Sequence, residues 1–218
     1  MNKNTDTVLL EFHYLPCIAY FTYLNEYQHV ILEAQENYVK QSHRNRCYIL
    51  SANKVLTLSV PVHRGIGKKP TKDIQIDYSQ KWVDNHWRAI RSAYGKSPFF
   101  EFYADRIHDI LYKKFVFLID LNWELLTYCL KELNMTKNKF TFSVHYEKDP
   151  GNGIYDGRNQ LMPKHKDSSK GFFKPYGYEQ VFGKNFVPNL SVIDLLFCVG
   201  PNARSYVINS SEFNIEQQ

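Results

Sequence analysis

Val8-Leu9-Leu10-Glu11-Phe12, then Pro16, then Ile18-Ala19-Tyr20-Phe21-Thr22-Tyr23-Leu24, then His29-Val30-Ile31-Leu32: this order decides the fold. The first run reads as a short buried strand, punctuated by Pro16. Ile18, Phe21 and Leu24 recur at helical spacing, with Tyr20 beside them, so a short helix follows. The third run is a second apolar strand. Strand, tight helix, strand is a βαβ beginning, which implies parallel pairing and a right-handed crossover.

Directly after the second strand comes Glu33-Ala34-Gln35-Glu36-Asn37-Tyr38-Val39-Lys40-Gln41-Ser42-His43-Arg44-Asn45-Arg46. A plain surface loop rarely needs so many different polar groups so tightly placed, and we read this run as the site. A hairpin is expected next, with residues 47–50 and 55–62 flanking a turn at Ser51-Ala52-Asn53-Lys54. If its first arm begins at Arg44, then Arg44 and Arg46 share a face and Asn45 points the other way. Residues 65–69 read as a basic, glycine-containing loop, and residues 73–77 as a further short strand.

From Ser79 the chain turns helical. Ser79 is expected to cap a helix carrying Trp82, His86, Ile90 and Ala93 on one stripe. Ser97-Pro98 starts a second, with Phe99, Phe102, Tyr103, Ile107, Ile110 and Leu111 apolar. Asp120 caps a third. Residues 140–146 alternate as a strand does. Residues 148–170, polar and glycine-rich, read as a long mobile loop that lids a ligand. Asn189 is expected to cap a last helix, stopped by Gly200-Pro201. The fold expected is α/β: a single domain over 1–218 with a small mixed sheet, built from the N-terminal βαβ unit and the hairpin and packed by several helices.

The 218 residues suit one compact domain, and 16% aromatic content supplies a core or cleft lined by rings. The net charge of +5 is mild. It fits an anionic small molecule or a phosphorylated sugar and gives nucleic acid no specific support. Cys17, Cys47, Cys129 and Cys198 form no CxxC pair and read as buried free thiols. No apolar run reaches the length of a membrane span, and residues 1–7 lack the layout of a signal peptide, so a cytoplasmic protein is expected. There is no phosphate-binding glycine loop, no dinucleotide fingerprint, no zinc spacing and no nucleophile elbow. Cofactor, metal requirement and oligomeric state stay open.

Several stretches together resemble the WbqC-like family. They are Tyr14-Leu15-Pro16 with Tyr20-Phe21, then residues 36–46, Leu58-Ser59-Val60-Pro61-Val62 and Ile76-Asp77-Tyr78-Ser79. Trp82, His86-Trp87, Ala93-Tyr94 and Ser97-Pro98-Phe99-Phe100 follow, and residues 186–196 close on Gly200-Pro201. The resemblance spans nearly the whole chain. It implies a link to O-antigen gene clusters, where a glycine transferase role has been suggested for members. The chain departs from the family's opening, His-Gln-Pro-x-Tyr-Leu-Pro-Trp-x-Gly. Leu10 stands at the first His, Cys17 at Trp and Ala19 at Gly. The paired acids that end the family's second strand fall on Glu33 and Ala34, with Glu36 near enough to stand in for the lost one.

Candidate residues each have a structural alternative. Lys40, Arg44 and Arg46 suit a phosphate or carboxylate; otherwise they edge a solvated strand, paired to Glu33 and Glu36. Arg44→Ala and Arg46→Ala are expected to weaken ligand binding and leave the melting temperature nearly unchanged. Tyr38, Asn37, Asn45 and Glu36 join them as ligand-binding candidates. His86 is the leading candidate for the base that takes the acceptor's proton, its alternative being a satisfied core histidine. His13 follows the first strand, where open α/β sheets place ligand groups. His43 is a stacking ring. Tyr94 bonds a ligand or seals the core, Asp77 orients His86 or helps cap, and Asp194 needs a partner such as an arginine. The activity expected is acyl or aminoacyl transfer, glycyl among the options, in surface-polysaccharide assembly. The alternatives are a non-catalytic nucleotide-sugar or protein binding module and a nucleotidyltransferase-like enzyme.

Overall fold

The three runs at the start of the chain form β1 (Thr7–Glu11), α1 (Ile18–Glu26) and β2 (His29–Glu33). β1 and β2 pair in parallel, Leu10 opposite Leu32 and Glu11 opposite Glu33. The computed structural model describes residues 5–63, 68–162 and 172–212. The expectations for residues 65–67 and 163–170 lie outside the described residues.

The expected mixture of parallel and antiparallel pairing is present, divided between two sheets. One has four strands in the order β5-β2-β1-β6, all parallel, with β5 at Lys139–Phe142 and β6 at Ile154–Asp156. The hairpin, β3 (Arg46–Leu50) and β4 (Val55–Ser59), is a sheet of its own. β1 lies between β2 and β6 with both its edges paired, and Val8 and Leu10 on one face and Leu9 on the other are all buried. β6 falls inside the stretch expected to be a loop. Three residues flanked by glycines carry no readable alternation, so the sequence signal was too short.

Helices α2 (Trp82–Tyr94), α3 (Phe100–Tyr112) and α4 (Leu118–Glu132) follow, then α5 (Val192–Val199) and α6 (Ala203–Asn209). The stripe Trp82, His86, Ile90, Ala93 is buried as its spacing requires. Helix ends differ from expectation. α2 begins at Trp82 rather than after Ser79, because the Asp77 carboxylate accepts the Ser79 N–H and holds those residues in a turn (2.8 Å). α4 begins before Asp120, with Phe117 at its cap position. Residues 71–73 form a 3-10 turn where the expected strand would start, and Gln75 and Ile76 make only isolated bridges. Asn189 does not cap α5. Its Oδ1 accepts the Ala19 N–H at the start of α1 (2.9 Å), while Leu190 O accepts from Ile18 N (3.0 Å). In return Pro16 O accepts the Val192 N–H at the start of α5 (2.9 Å). The two helix starts are thus satisfied across the fold.

The four cysteines are free and buried. Among the described residues no helix is long and apolar enough to cross a membrane.

Candidate functional site

Parallel strands point their carboxyl ends the same way, and here those ends collect charge. Glu11 ends β1, Glu33 ends β2 and Asp156 ends β6. Gly157 then brings the chain back across β1. Its N–H bonds Leu9 O (3.0 Å), and a Cβ there would stand 2.6 Å from Leu10 Cδ2. A side chain at 157 would have to push Leu10 aside, and the close approach sets Arg158 and Asn159 over Glu11.

Arg158 uses all five of its side-chain donors' worth of space. Nε and Nη2 donate to the Asp156 carboxylate, Nη1 to Glu33 Oε2 and Glu147 O, and Nη2 also to Lys148 O. The Tyr146 ring covers its guanidinium at 5.3 Å. Arg158 therefore locks β6 and residues 147–148 onto the end of β2, and its charge is spent. Asn159, in the left-handed region at φ 59, turns its N–H onto both Glu11 oxygens (3.2 and 3.1 Å) and accepts from Arg44 Nη2 (3.1 Å).

Beneath Asn159 lies a buried centre. Arg44 is wholly buried and grips Glu36 with two hydrogen bonds, Nε to Oε1 (2.6 Å) and Nη2 to Oε2 (2.7 Å). Burial pushes the Glu36 carboxyl upward and Arg44 pulls it back. Nη1 of Arg44 stands 3.9 Å from Glu11 Oε1 and has no hydrogen-bond partner among the described residues. His13 Nε2 lies 3.2 Å from the same oxygen. Burial works to raise the Glu11 carboxyl, but the His13 hydrogen bond, with Arg44 nearby, holds it down at about 2. An ionised carboxylate accepts, so Nε2 carries the hydrogen and Nδ1 the lone pair. Nδ1 is buried and has no partner among the described residues. Burial lowers the His13 pKa, so the ring is neutral near pH 7. His43 stacks on His13 at 5.0 Å, as expected of a stacking ring, and meets Tyr48 edge-on. Burial lowers His43 to about 3.

The other candidates are distributed as follows. Arg46 is half-buried beside Tyr38 and Tyr48, whose phenols burial raises while the Arg46 charge works against that rise, and among the described residues its Nε has no partner. Asn45 Nδ2 donates to Val60 O (2.8 Å), extending the hairpin, and its Oδ1 has no partner. Lys40 and Asn37 are exposed. His86 lies apart. Its Nδ1 bonds Tyr14 Oη (2.9 Å), the ring bonds the Ser59 backbone, and neither nitrogen is left over. Burial lowers it to about 4. Asp77 bonds Ser79, not His86. Tyr94 is wholly buried, donating to Asp194 Oδ1 (2.7 Å) and accepting the Leu50 N–H (3.1 Å). Among the described residues no arginine pairs with Asp194; Tyr94, Tyr178 and Gln180 satisfy it instead. So Arg44, Arg46, Tyr38, Glu36 and His13 come together, and Lys40 and His86 do not join them in one hollow. The expectation that Arg44→Ala spares stability fails on burial: a wholly buried, doubly bonded guanidinium cannot be removed quietly. Glu11, Arg158 and Asn159 were missed, Glu11 because it sits inside an apolar strand.

The arrangement can take up a proton at His13 Nδ1 and donate hydrogen bonds from Arg44 Nη1 and Arg46 Nε. Among the described residues no group of three or more His, Cys, Asp or Glu is set to hold a metal ion. Neither the curated proteins nor the solved structures contain a match to the chain. A sequence profile does match, over residues 12–156 and 165–206, and the span includes the carboxyl edge from Glu33 through Asp156. By that match the chain belongs to the WbqC-like protein family.

Proposed function

We propose that the protein is an acyltransferase of surface-polysaccharide assembly. It passes an aminoacyl group, glycyl in the reading the family suggests, to an anionic or phosphorylated sugar, with His13 as the base. One observation carries this: a buried imidazole whose Nε2–H is held by Glu11 while its Nδ1 has no partner among the described residues, at the carboxyl edge of a parallel sheet. A carboxylate that fixes the tautomer and leaves the second nitrogen open is the arrangement general-base catalysis uses.

In this reading His13 Nδ1 takes the proton from the acceptor's hydroxyl or amine as its oxygen or nitrogen bonds the acyl carbon. The bond from that carbon to the donor's leaving group breaks, and the imidazolium returns the proton to the leaving group. Arg44 Nη1 supplies a hydrogen bond to the carbonyl oxygen as it gains negative charge. Arg46, with Tyr38, holds the anionic part. Arg44 is unsuited to that task because Glu36 already neutralises it. Asn159 is itself exposed and its side chain accepts from Arg44 Nη2, so the substrate reaches Arg44 by displacing that side chain. Dry surroundings matter, since an activated acyl group hydrolyses.

The test is to incubate the protein with nucleotide-activated sugars and a set of aminoacyl adenylates and thioesters, and to weigh the sugar by mass spectrometry. Acylated sugar with the wild type and none with His13→Gln is the expected result. A nucleotide sugar that raises the melting temperature yet is never acylated by any donor would replace this reading with that of a binding module. Leu10, where the family's opening has His, favours that second reading.

A further inference from the structure

Asp194 is a buried carboxylate on α5 that the centre around His13 leaves unused. Its three partners arrive from two different walls. Tyr94 comes from the end of α2, and Tyr178 and Gln180 come from the loop before α5. Gln180 is further tied to Val187 by Nε2 to O (2.9 Å) and by N to Oε1 (2.8 Å). The opposite wall is just as fixed. Ser97 donates its N–H and its Oγ–H to Tyr94 O (2.8 and 2.6 Å), and Phe99 N bonds Phe197 O (3.1 Å). Gly200 packs against the Phe99 ring so closely that a Cβ would stand 2.4 Å from it.

Between these walls is a cavity of about 630 Å³, within the range of about 300–1,000 Å³ that small-molecule sites occupy. Its interior is apolar where Ala93, Val181 and Phe182 line it. Arg91 and Lys96 line it from the α2–α3 corner and Glu179 from the facing loop. Among the described residues neither cation has an ion-pair partner. Two positive groups against one negative leave the lining with an excess of positive charge. Tyr94 Oη accepts from Leu50, at the end of β3 remote from Arg46, so this hollow is separate from the carboxyl edge.

We propose that this cavity is a second binding site, for a small amphipathic anion with an acidic head and an apolar tail. Arg91 and Lys96 receive the head, and Ala93, Val181 and Phe182 receive the tail. Asp194 joins the two walls and keeps the hollow open, which gives a buried carboxylate a reason to be there. The site does not depend on the reaction proposed for His13.

The experiment follows the methyl resonances of Ala93 and Val181 by NMR while octyl phosphate, octanoate or octanol is titrated into the whole chain. Saturable shifts with either anion are expected, and whichever anion binds more tightly identifies the head as phosphoryl or carboxyl. Arg91 and Lys96 are exposed, so Arg91→Glu with Lys96→Glu leaves the fold intact; it should weaken the anions by about tenfold or more and leave octanol unchanged. His13→Gln should leave the shifts as they are. No saturable shift with either anion overturns the proposal, as does a charge reversal that changes neither affinity.

Discussion

The sheet edge around His13 and the helix face around His86 are built alike. Each buries an imidazole, each sets a tyrosine beside it, and in each burial keeps the ring neutral. They differ in one nitrogen. His86 gives both to the protein, one to Tyr14 and one to the Ser59 backbone, and joins α2 to the hairpin. His13 gives one to Glu11 and keeps one. Burial and residue type do not separate a working histidine from a structural one; the unfilled hydrogen-bonding capacity does. A buried polar atom without a partner costs about 1–3 kcal/mol. The His13 edge has such atoms on His13, Arg44, Asn45 and Arg46 together.

The comparison breaks most decisively through the two histidines themselves. His13→Gln should lower acyl transfer by roughly 10²–10⁴-fold, and because the buried ring bonds Glu11 and stacks on His43 it should also cost about 1–3 kcal/mol. His86→Gln should keep turnover and lose only about 1–3 kcal/mol as Tyr14 is left without its partner. The opposite pattern would return the base to His86. Urea denaturation sharpens the same contrast at the arginines. Arg44→Ala strands Glu36 and should cost about 3–5 kcal/mol. Arg46→Ala, at a half-buried residue with no carboxylate partner among the described residues, should change stability by less than about 1 kcal/mol and weaken anion binding instead.

How much of this was legible in sequence depends on distance along the chain. The βαβ unit declares itself within 27 residues, since Val8 to Leu10, the Ile18 stripe and Val30 to Leu32 each carry a local period. The hairpin was equally local. Glu36, Arg44 and Arg46 stood out because they crowd one short run. Arg158 and Asn159 did not, because their meaning depends on β6 returning beside β1, and the Asn159 to Glu11 bond joins residues 148 apart. The same holds for the caps. Asn189 has the chemistry of a cap, and its position suggested α5, but tertiary packing delivered it to α1.

Acid tests the histidines as a group. His43 and His86 have folded values of about 3 and 4, below the ordinary 6.5, and His13 is lowered too. An unfolded chain therefore binds protons that the folded chain refuses once the pH falls below 6.5. Stability from these groups is complete above pH 6.5 and is lost as the pH falls toward 4 and 3, each imidazole contributing about 1.4 kcal/mol per pH unit. Glu11, held at about 2 against an ordinary 4.5, adds a loss between pH 4.5 and 2. Melting temperatures should be level from pH 7 to 8 and fall below 6.5. His43→Phe removes one titrating group and keeps the ring stacked on His13, so its decline should be shallower. An identical decline would mean that His43 titrates normally.

The smallest effect comes from the cap that reaches α1. Tyr20 of that helix donates to Glu11 O (3.0 Å) and lies 4.7 Å from the His13 ring, so the helix start helps to fix the His13 side of the comparison. Asn189→Ala removes the bond to Ala19 and should cost about 1 kcal/mol. It also places a Cβ without a compensating side chain at φ 55, a conformation that costs an ordinary L-residue about 1–2 kcal/mol. Asn189→Gly removes the same bond at a position where glycine adopts that φ freely, though it gains chain entropy on unfolding. Gly should therefore be the milder of the two substitutions. The loss common to both is the cap, and the excess in Ala is the backbone. If both variants unfold at the wild-type urea concentration, the Asn189 bond contributes nothing, and the start of α1 is held by the Leu190 carbonyl alone.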